Sequence, residues 1–344
     1  MTETMKRIVL ASRPPGKPGP ENFRLEEEPL PQPGPGEFLA RVIWLSLDPY
    51  MRGRMSAAKS YAKPVEIGET MTAGCVAEVI ASNHDGYAPG DLVVAPLGWA
   101  THGISDGTLV QKIDPKAGAP LSAYLGVLGM PGLTAWVGLN DILEAKPGET
   151  IVVSAATGAV GSLVGQLARL KGMTVIGVAG GADKCRYAVE ELGFDACLDH
   201  RAAADAKELG KQIAAAAPDG VECYFENVGG KTLEAVLPNM KTFGRIALCG
   251  MIAWYSGAEN PAPAPVVWGA ILRQRLRVEG FIIFDRYDRQ PAFVAEVAPR
   301  VADGTIHYRE TVAEGLENAP AAFMKMLEGG NFGKQLVRIG ADPA

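Results

Sequence analysis

The sequence lacks a hydrophobic run long enough to cross a bilayer, and it lacks cysteines at metal-binding spacing. No apolar run approaches the roughly 20 residues that a transmembrane helix needs. The five cysteines include no Cys-x-x-Cys pair, so neither a zinc ribbon nor a redox couple is indicated. Basic charge is also scarce, and the net charge of −6 argues against nucleic acid as a partner.

The N-terminus also lacks the long apolar segment and small-residue cleavage site of a signal peptide. An odd number of widely spaced cysteines is typical of reduced thiols. We therefore expect a cytoplasmic protein with neither nucleic acid nor membrane as a partner. The 344 residues are enough for two domains with a substantial core.

The first third of the chain is predicted to be rich in β-structure. Residues 13–36 are rich in proline, glycine and charge, a composition typical either of a flexible arm or of turns that enter strands. Two runs, 38–47 and 72–81, have the pattern of strands, and 87–103 combines a strand with turn residues. These segments predict a partly open barrel.

From about residue 125 the pattern changes to short apolar strands that alternate with helices, which predicts a doubly wound parallel sheet. The predicted strands are 150–156, 174–179, 196–200, 221–229, 244–250 and 276–283, and the predicted helices are 162–172, 182–193, 203–216 and 231–241. A last helix, 317–328, precedes the strand-like end 330–339, which we expect to rejoin the barrel. The expected domains are therefore 1–126 with 302–344, and 127–301.

A glycine-rich turn follows the first strand of this sheet. Against the pattern G-x-G-x-x-G, Ala156 replaces the first glycine, while Gly158 and Gly161 keep the other two. Gly158 leaves room for a pyrophosphate beside the backbone, and Gly161 allows close packing of the helix on its strand. Glycines also occur in ordinary turns, but the position between a strand and a helix favours a dinucleotide site.

The next strand ends without the acid that an NAD site presents to the ribose 2′-hydroxyl. Gly180 and Gly181 stand there instead, and they leave room for a 2′-phosphate. Lys184 follows in the first turn of the next helix, either as a phosphate ligand or as a solvated surface residue. Asp183 is open to two interpretations, a ligand of the 2′-hydroxyl or the N-cap of the helix. The balance favours NADPH.

Metal ligands are also missing. The stretches 45–53 and 68–75 lack the cysteine and the Gly-His-Glu sequence of zinc alcohol dehydrogenases, and the four histidines have no ligand spacing. We expect no metal. Without a Lewis acid, reduction of a carbon–carbon double bond conjugated to a carbonyl is easier than alcohol oxidation. Hydrogen-bond donors then stabilise the enolate that forms as hydride reaches the β-carbon.

Several stretches together resemble the medium-chain dehydrogenase/reductase superfamily, in its zinc-independent branch of leukotriene B4 dehydrogenases, prostaglandin reductases and bacterial curcumin reductases. The stretches that carry this resemblance are LDPYMRG (47–53), MPGLTAW (130–136), AATGAVGSLVGQLARLKG (155–172), GFDACLDH (193–200), YFENVGG (224–230), GRIALCGMIAWY (244–255), LRVEGFI (276–282) and GNFGKQLV (330–337). The resemblance implies a GroES-like barrel domain that carries an inserted Rossmann domain. It also implies NADPH-dependent reduction of α,β-unsaturated ketones or aldehydes and a homodimer.

Carried over by position, the resemblance also implies a set of cofactor-binding residues, with the pyrophosphate at 158–161 and the 2′-phosphate at Lys184. These residues are Gly158, Ala159, Val160, Gly161, Lys184, His200, Asn227, Cys249, Gly250, Met251, Tyr255, Phe281 and Asn331. Relatives commonly have tyrosine where His200 stands, and an imidazole there makes cofactor preference sensitive to pH. Asn227 and Asn331 are alternatively turn residues, and the Cys249 sulfur is interpreted as packing.

Two tyrosines are candidates for the donor that stabilises the enolate. Tyr255 follows the fifth strand, at the edge where open α/β sheets bind ligands, and Tyr50 lies in a loop of the first domain. Either ring is alternatively a core or rim aromatic, and the five tryptophans are core or pocket-wall candidates. Arg52 is either a surface charge or a partner for a polar substrate tail.

The sequence therefore predicts an NADPH-dependent oxidoreductase that acts on C=C bonds, with Tyr255 or Tyr50 as the catalytic donor. A quinone reductase of the same superfamily and a non-catalytic NADPH-binding protein remain as alternatives. The physiological substrate depends on loops near 50–65 and 251–268, whose shape the sequence does not give.

Overall fold

The computed structural model describes residues 3–114, 118–256 and 264–343. The chain divides into two compact units, Met1–Gly126 with Glu310–Ala344, and Val127–Arg309. The second division falls later than the expected one at 301/302. The reason is that the intervening segment stays with the second unit, where the His307 carbonyl accepts a hydrogen bond from Gln166 at 2.8 Å.

The first unit is rich in strands. Its strands and helices are β1 (Thr4–Leu10), β2 (Phe23–Pro29), β3 (Phe38–Leu47), α1 (Tyr50–Arg54), β4 (Cys75–Ser82), β5 (Leu92–Ala95), β6 (His102–Ser105), β7 (Gln111–Lys112), β14 (Glu310–Glu314), α9 (Ala319–Leu327) and β15 (Lys334–Arg338). One sheet has the order β14-β15-β3-β4-β5-β7, with β6 also on β3, and β1 pairs with β2 in a second sheet.

In the first sheet, β15 pairs antiparallel with β3, so the end of the chain lies beside a strand formed near its beginning. Apart from the parallel pair β14–β15, the pairings of this unit are antiparallel. Most residues of β3 are buried, including Phe38 and Leu45, and they pack with Trp99 and Phe323 in the core of the unit. Such an almost continuous apolar strand is typical of a central position in a sheet.

The second unit contains the remaining helices and strands of the described chain. They are α2 (Met130–Val137), β8 (Thr150–Ser154), α3 (Gly161–Leu170), β9 (Thr174–Ala179), α4 (Ala182–Glu190), β10 (Ala196–Asp199), α5 (Ala206–Ala216), β11 (Val221–Glu226), α6 (Gly230–Val236), β12 (Met240–Leu248), α7 (Ala264–Gln274), β13 (Arg277–Gly280) and α8 (Gln290–Ala302). Short helical turns lie at Pro20–Asn22, Leu121–Leu125, Gly138–Ile142, Leu237–Asn239, Ile252–Trp254, Ile283–Arg289 and Leu316–Asn318.

Its sheet has the order β10-β9-β8-β11-β12-β13, with every pair parallel. This is the doubly wound order of a Rossmann fold, in which the chain reverses direction of travel between β8 and β11. The predicted fold class, a Rossmann sheet with a β-rich domain, is confirmed. The carboxyl ends of all six strands meet at one edge of this sheet, where such folds bind ligands.

No described helix is both long and apolar enough to span a bilayer.

Candidate functional site

The turn between β8 and α3 is built around the carbonyl oxygen of Ala155. A Cβ placed on Gly161 would lie 2.4 Å from this oxygen, so only glycine allows the helix to begin this close to the strand. At Gly158 a Cβ would lie 3.2 Å from the same oxygen. Ala155 itself has a positive φ of 49°, an uncommon conformation that a non-glycine residue adopts here to make the sharp turn.

Ala156 takes the place of the first glycine because the neighbouring strand makes room for its methyl group. Ala156 is fully buried, and a Cβ placed on Gly177 of β9 would lie 2.9 Å from the Ala156 Cβ. The small residue has moved from the turn to the strand beside it. The departure from the glycine pattern is therefore compensated by packing within this unit.

The helix α3 begins directly after this turn. Its N-cap is Val160, whose carbonyl accepts the amides of Leu163 and Val164, and the Gly158 carbonyl accepts the Ser162 amide. A helix N-terminus offers backbone N–H groups and the positive end of the helix dipole to an anion. The predicted residues 158–161 thus form a turn suited to a pyrophosphate.

The end of β9 has no acidic side chain in the position of the NAD-specific acid. The chain passes through Gly180 and Gly181, and Gly181 has a φ of 103°, which favours glycine. Gly181 is also the N-cap of α4 and makes no side-chain capping bond. The interpretation of Asp183 as the N-cap is therefore wrong. Asp183 lies in the first turn, where its exposed carboxylate pairs with Arg186 at 2.5 Å.

Basic side chains surround the Gly180–Gly181 turn. A Cβ placed on Gly180 would lie 2.9 Å from His200 Nε2 and 2.9 Å from Arg201 Nε. Lys184 is half-buried, and burial together with the nearby charge of Arg201 lowers the pKa of its amine. We call Lys184, His200 and Arg201 the basic cluster. Arg201 was missed by the sequence analysis, although it directly follows His200.

Asp199 at the end of β10 holds this region together. Its Oδ1 accepts the backbone N–H of Gly181 at 2.8 Å and that of Arg201 at 2.9 Å. Burial alone would raise the pKa of Asp199, but these amide bonds outweigh it and lower the pKa. The Asp199 carboxylate thus fixes the glycine turn and the backbone of the basic cluster to each other.

A second group of polar residues lies where β8 and β11 end side by side. The backbone N–H of Asn227 donates to Ser154 Oγ at 2.8 Å, and Asn227 Nδ2 donates to the Ser154 carbonyl at 2.8 Å. Asn227 therefore ties the two strands together and is more than a turn residue. Whether it also contacts the cofactor stays a prediction.

Glu226, next to Asn227, is fully buried and was not predicted. Its Oε1 accepts hydrogen bonds from Ser154 Oγ at 3.0 Å and from the amides of Val228 and Gly229 at 2.6 and 3.0 Å. Burial raises the pKa of this carboxyl against the opposing effect of these bonds. The acid shapes the backbone turn that follows β11.

After β12, the chain turns back over the end of β11. The amides of Cys249 and Gly250 both donate to the Glu226 carbonyl, at 2.9 and 3.1 Å. Burial raises the pKa of the Cys249 thiol to about 12, so the thiol is neutral at physiological pH, in keeping with packing rather than chemistry. Tyr255 Oη accepts the Met251 amide at 3.3 Å, which places this phenol beside the end of β12.

Phe281, which follows β13, packs edge-on against Phe225 with ring centroids 6.4 Å apart. This contact gives its ring a structural role in the second unit. Trp254 lies against the turn after β11, because a Cβ placed on Gly229 would be 3.0 Å from its ring. Contact of Phe281 with the cofactor stays a prediction.

Tyr50, Arg52 and Asn331 belong to the first unit. Tyr50 begins α1, and the Arg54 guanidinium lies 5.6 Å from the centre of its ring. Arg52 is buried and donates to the carbonyls of Pro14 and Gly16, so it anchors the proline-rich N-terminal segment and is not a surface charge. Asn331 Nδ2 donates to the Gly333 carbonyl at 2.8 Å, as a turn residue does.

The structure thus brings together, at one edge of one sheet, the predicted residues of the second unit from Gly158 to Tyr255. Among the residues that the structure describes, no group of three or more histidine, cysteine, aspartate or glutamate side chains is placed to hold a metal ion. Independence from metal stays a prediction.

Known proteins match this chain over nearly its whole length. A family model described as the N-terminal domain of oxidoreductase matches residues 6–113, and one described as zinc-binding dehydrogenase matches 159–298. NADPH-dependent curcumin reductase of Escherichia coli strain K12 is 50% identical, over 98% of this chain and 97% of its own. The chain belongs to the medium-chain dehydrogenase/reductase superfamily. The predicted membership in its zinc-independent branch is confirmed.

Two further relatives of this reductase branch are informative. The NADP(+)-dependent 2-alkenal reductase of Nicotiana tabacum is 38% identical, over 97% of both chains. The crystal structure of CurA in complex with NADPH from Vibrio vulnificus is 49% identical and has a TM-score of 0.92, over 98% of this chain and 100% of that one. These relatives are reductases whose names or titles include NADPH or NADP(+).

Proposed function

We propose that this protein is an NADPH-dependent reductase of the carbon–carbon double bond in α,β-unsaturated ketones and aldehydes. The observation that carries the proposal is the edge of the second unit's sheet, where a glycine turn starts α3 and basic side chains surround an acid-free turn after β9. The curcumin and alkenal reductases, at 50% and 38% identity, support the same activity.

The residues at this edge fit NADPH. The amides at the start of α3 are suited to the pyrophosphate, and Lys184 is suited to the 2′-phosphate, because a carboxylate after β9 would repel that phosphate. When bound, NADPH supplies the hydride that is added to the β-carbon of the substrate. The protein's own residues then bind, orient and supply hydrogen-bond donors.

Tyr255 is the proposed donor to the substrate carbonyl oxygen. As hydride reaches the β-carbon, negative charge moves to that oxygen, and a phenol O–H aimed at it stabilises the transition state more than the ground state. The Met251 amide holds the Tyr255 oxygen beside the end of β12, which restricts the ring. A tyrosine with an unperturbed pKa of about 10 remains a donor throughout the physiological range.

Steady-state kinetics with a series of enones and enals test this proposal. Oxidation of NADPH with these substrates, and without a quinone, is the expected result, and Tyr255→Phe should lower kcat/KM by about 10- to 1000-fold. The affinity for NADPH should barely change, because only a hydroxyl is lost. Cofactor binding without turnover of any enone or enal would refute the proposed activity.

Tyr50 is the rival donor, and Tyr50→Phe is measured beside Tyr255→Phe. A loss in Tyr50→Phe alone assigns the role to Tyr50, and two silent variants refute a tyrosine donor altogether. Tyr87→Phe is the matched control, because its ring packs on Phe38 in the core of the first unit. Wild-type rates are expected for this control.

The protein is further proposed to form a homodimer through β13 and α7. Among the described strands, β13 pairs only with β12, so its other edge is available to a second copy. On α7, Trp268 and Leu272 are 68% and 78% exposed and lie one helical turn apart. Sedimentation should show a dimer for the wild type and a monomer for Leu272→Glu; a monomeric wild type would refute this proposal.

A further inference from the structure

The basic cluster contains a cation for which the sequence analysis found no role. Arg201 Nε and His200 Nε2 both lie 2.9 Å from the point where a Cβ on Gly180 would stand. The guanidinium therefore folds back over the glycine turn, although Arg201 lies after β10 and the turn lies after β9. This is the place where the sequence analysis expects the 2′-phosphate of the cofactor.

We propose that Arg201 binds the adenosine 2′-phosphate together with Lys184 and is a determinant of the preference for NADPH over NADH. The inference rests on the proposed function, since it concerns the cofactor of that reaction. It adds a residue whose guanidinium offers five donors in a planar fork, the geometry that matches phosphate oxygens.

The backbone keeps Arg201 in this place. Asp199 Oδ1 accepts both the Arg201 amide and the Gly181 amide, at 2.9 and 2.8 Å. The glycine turn and the Arg201 backbone are thereby joined through one carboxylate. Little ordering of the backbone is left for the moment of binding, and preorganisation of this kind strengthens binding.

The charges also point to an anion. Lys184 and Arg201 are close enough for the charge of Arg201 to lower the pKa of Lys184, beyond the effect of burial. Neighbouring carboxylates are already engaged: Asp199 Oδ1 with the two amides, and Asp183 with Arg186 at 2.5 Å. A phosphate that carries up to two negative charges between the two cations relieves their repulsion.

Gly180 is part of the same arrangement. A side chain at this position would occupy the space that the imidazole and the guanidinium now share. Gly180→Ala should therefore push both groups away from the turn and weaken phosphate binding. This variant alters the position of the cluster while it keeps all three charges.

Calorimetric titration with 2′,5′-ADP and with 5′-AMP tests the proposal without any catalytic turnover. Arg201→Gln should weaken binding of 2′,5′-ADP by about 10- to 100-fold, and binding of 5′-AMP should stay within about twofold of the wild type. Arg201→Lys should lie between the two. Arg186→Gln is the matched control, an exposed arginine on α4 outside the basic cluster, and it should bind both ligands as the wild type does.

Binding of 2′,5′-ADP by Arg201→Gln within about twofold of the wild type would overturn the role of Arg201. Equal loss for both ligands would overturn it too, because that result indicates a disturbed adenosine site rather than a lost phosphate contact. A wild type that binds 2′,5′-ADP no more tightly than 5′-AMP would refute both Arg201 and the NADPH preference. Enone reduction by Arg201→Gln at saturating NADPH separates failure of this inference from failure of the proposed reductase activity. Thermal unfolding of each variant verifies that it is folded.

Discussion

Each of the two units buries a carboxylate, and the two units satisfy that carboxylate in opposite ways. In the first unit, Asp48 lies between β3 and α1 and pairs with Lys334 of β15, Nζ to Oδ1, at 2.5 Å. In the second unit, Glu226 at the end of β11 is surrounded by neutral donors. One acid is compensated by a charge and the other by dipoles.

The compensation in the first unit is complete on both sides of the pair. Lys334 Nζ also donates to the Leu47 carbonyl at 2.8 Å, and Ser46 Oγ donates to the second oxygen of Asp48. Burial lowers the pKa of Lys334, and the charge of Asp48 opposes that shift. Both side chains are less than 10% exposed, so neither ion has bulk water as a substitute partner.

The comparison shows what each arrangement tolerates. An ion pair needs both members, because removal of one leaves a buried charge with no counter-charge. A carboxyl among neutral donors can take up a proton and remain bonded, since the protonated form still accepts hydrogen bonds. The first arrangement joins two strands far apart in the chain, and the second shapes the turns at the proposed cofactor site.

The largest expected effect is that of Lys334→Met, which breaks the ion pair. Asp48 would be left buried and uncompensated, and the free energy of unfolding should fall by about 3–5 kcal/mol. Urea denaturation at neutral pH measures this loss. The double variant Lys334→Met/Asp48→Leu should recover at least half of it, because apolar side chains of similar size often replace a buried pair without loss.

Lys325→Met is the control for Lys334→Met, since Lys325 is exposed on α9. It should change the free energy of unfolding by less than about 0.5 kcal/mol. A Lys334→Met protein as stable as this control would show that the charge of Asp48 needs no partner, and the contrast between the two units would be lost.

A smaller effect is expected for Ser154→Ala, which removes one neutral donor from Glu226. The same hydroxyl accepts the backbone N–H of Asn227 at 2.8 Å, so that the substitution leaves a part-buried amide unpaired. The free energy of unfolding should fall by about 1–3 kcal/mol in urea denaturation. Thr174→Ala, at an exposed position of β9, is the control; equal effects of the two substitutions would contradict a bonding role for the Ser154 hydroxyl.

The sequence predicted the sheet of the second unit well because its signals are local. Apolar strands, helical periodicity and glycines lie within short windows, and β9 has the predicted bounds, Thr174–Ala179. The helices α7 and α8 were not predicted. The helix α8 contains Pro299 and has a proline in its first turn, and proline within a helical pattern argues against a helix.

The parts of the site that were missed depend on contacts between strands. Ser154 meets Glu226 only because β8 and β11 are neighbours in the sheet, although the two residues are far apart in the chain. Arg201 approaches Gly180 because β10 lies beside β9. No window of sequence contains both partners of either contact. The error at Asp183 has a local cause, since the positive φ of Gly181 places the N-cap two residues earlier.

The smallest effect at neutral pH is expected for Glu226→Gln, and its pH dependence separates the two buried acids. The amide oxygen of glutamine accepts the same bonds from Ser154, Val228 and Gly229, so the free energy of unfolding at pH 7 should change by less than about 1 kcal/mol. The pKa of Glu226 is raised in the folded protein by burial. Folded protein therefore holds this proton at pH values where unfolded protein, with a glutamate pKa of about 4.3, has lost it.

By linkage, the wild type then loses stability as pH rises from about 4.3 through the raised pKa, whereas Glu226→Gln has no proton to lose at this position. The difference in free energy of unfolding, variant minus wild type, should therefore increase in favour of the variant over this range. Urea denaturation at a series of pH values from about 4 to 8 measures it, with Glu222→Gln, at a half-buried acid of the same strand, as the control. A constant difference across the series, together with a loss above about 3 kcal/mol at pH 7, would mean that Glu226 is needed as a charge. The two units would then use their buried acids in the same way.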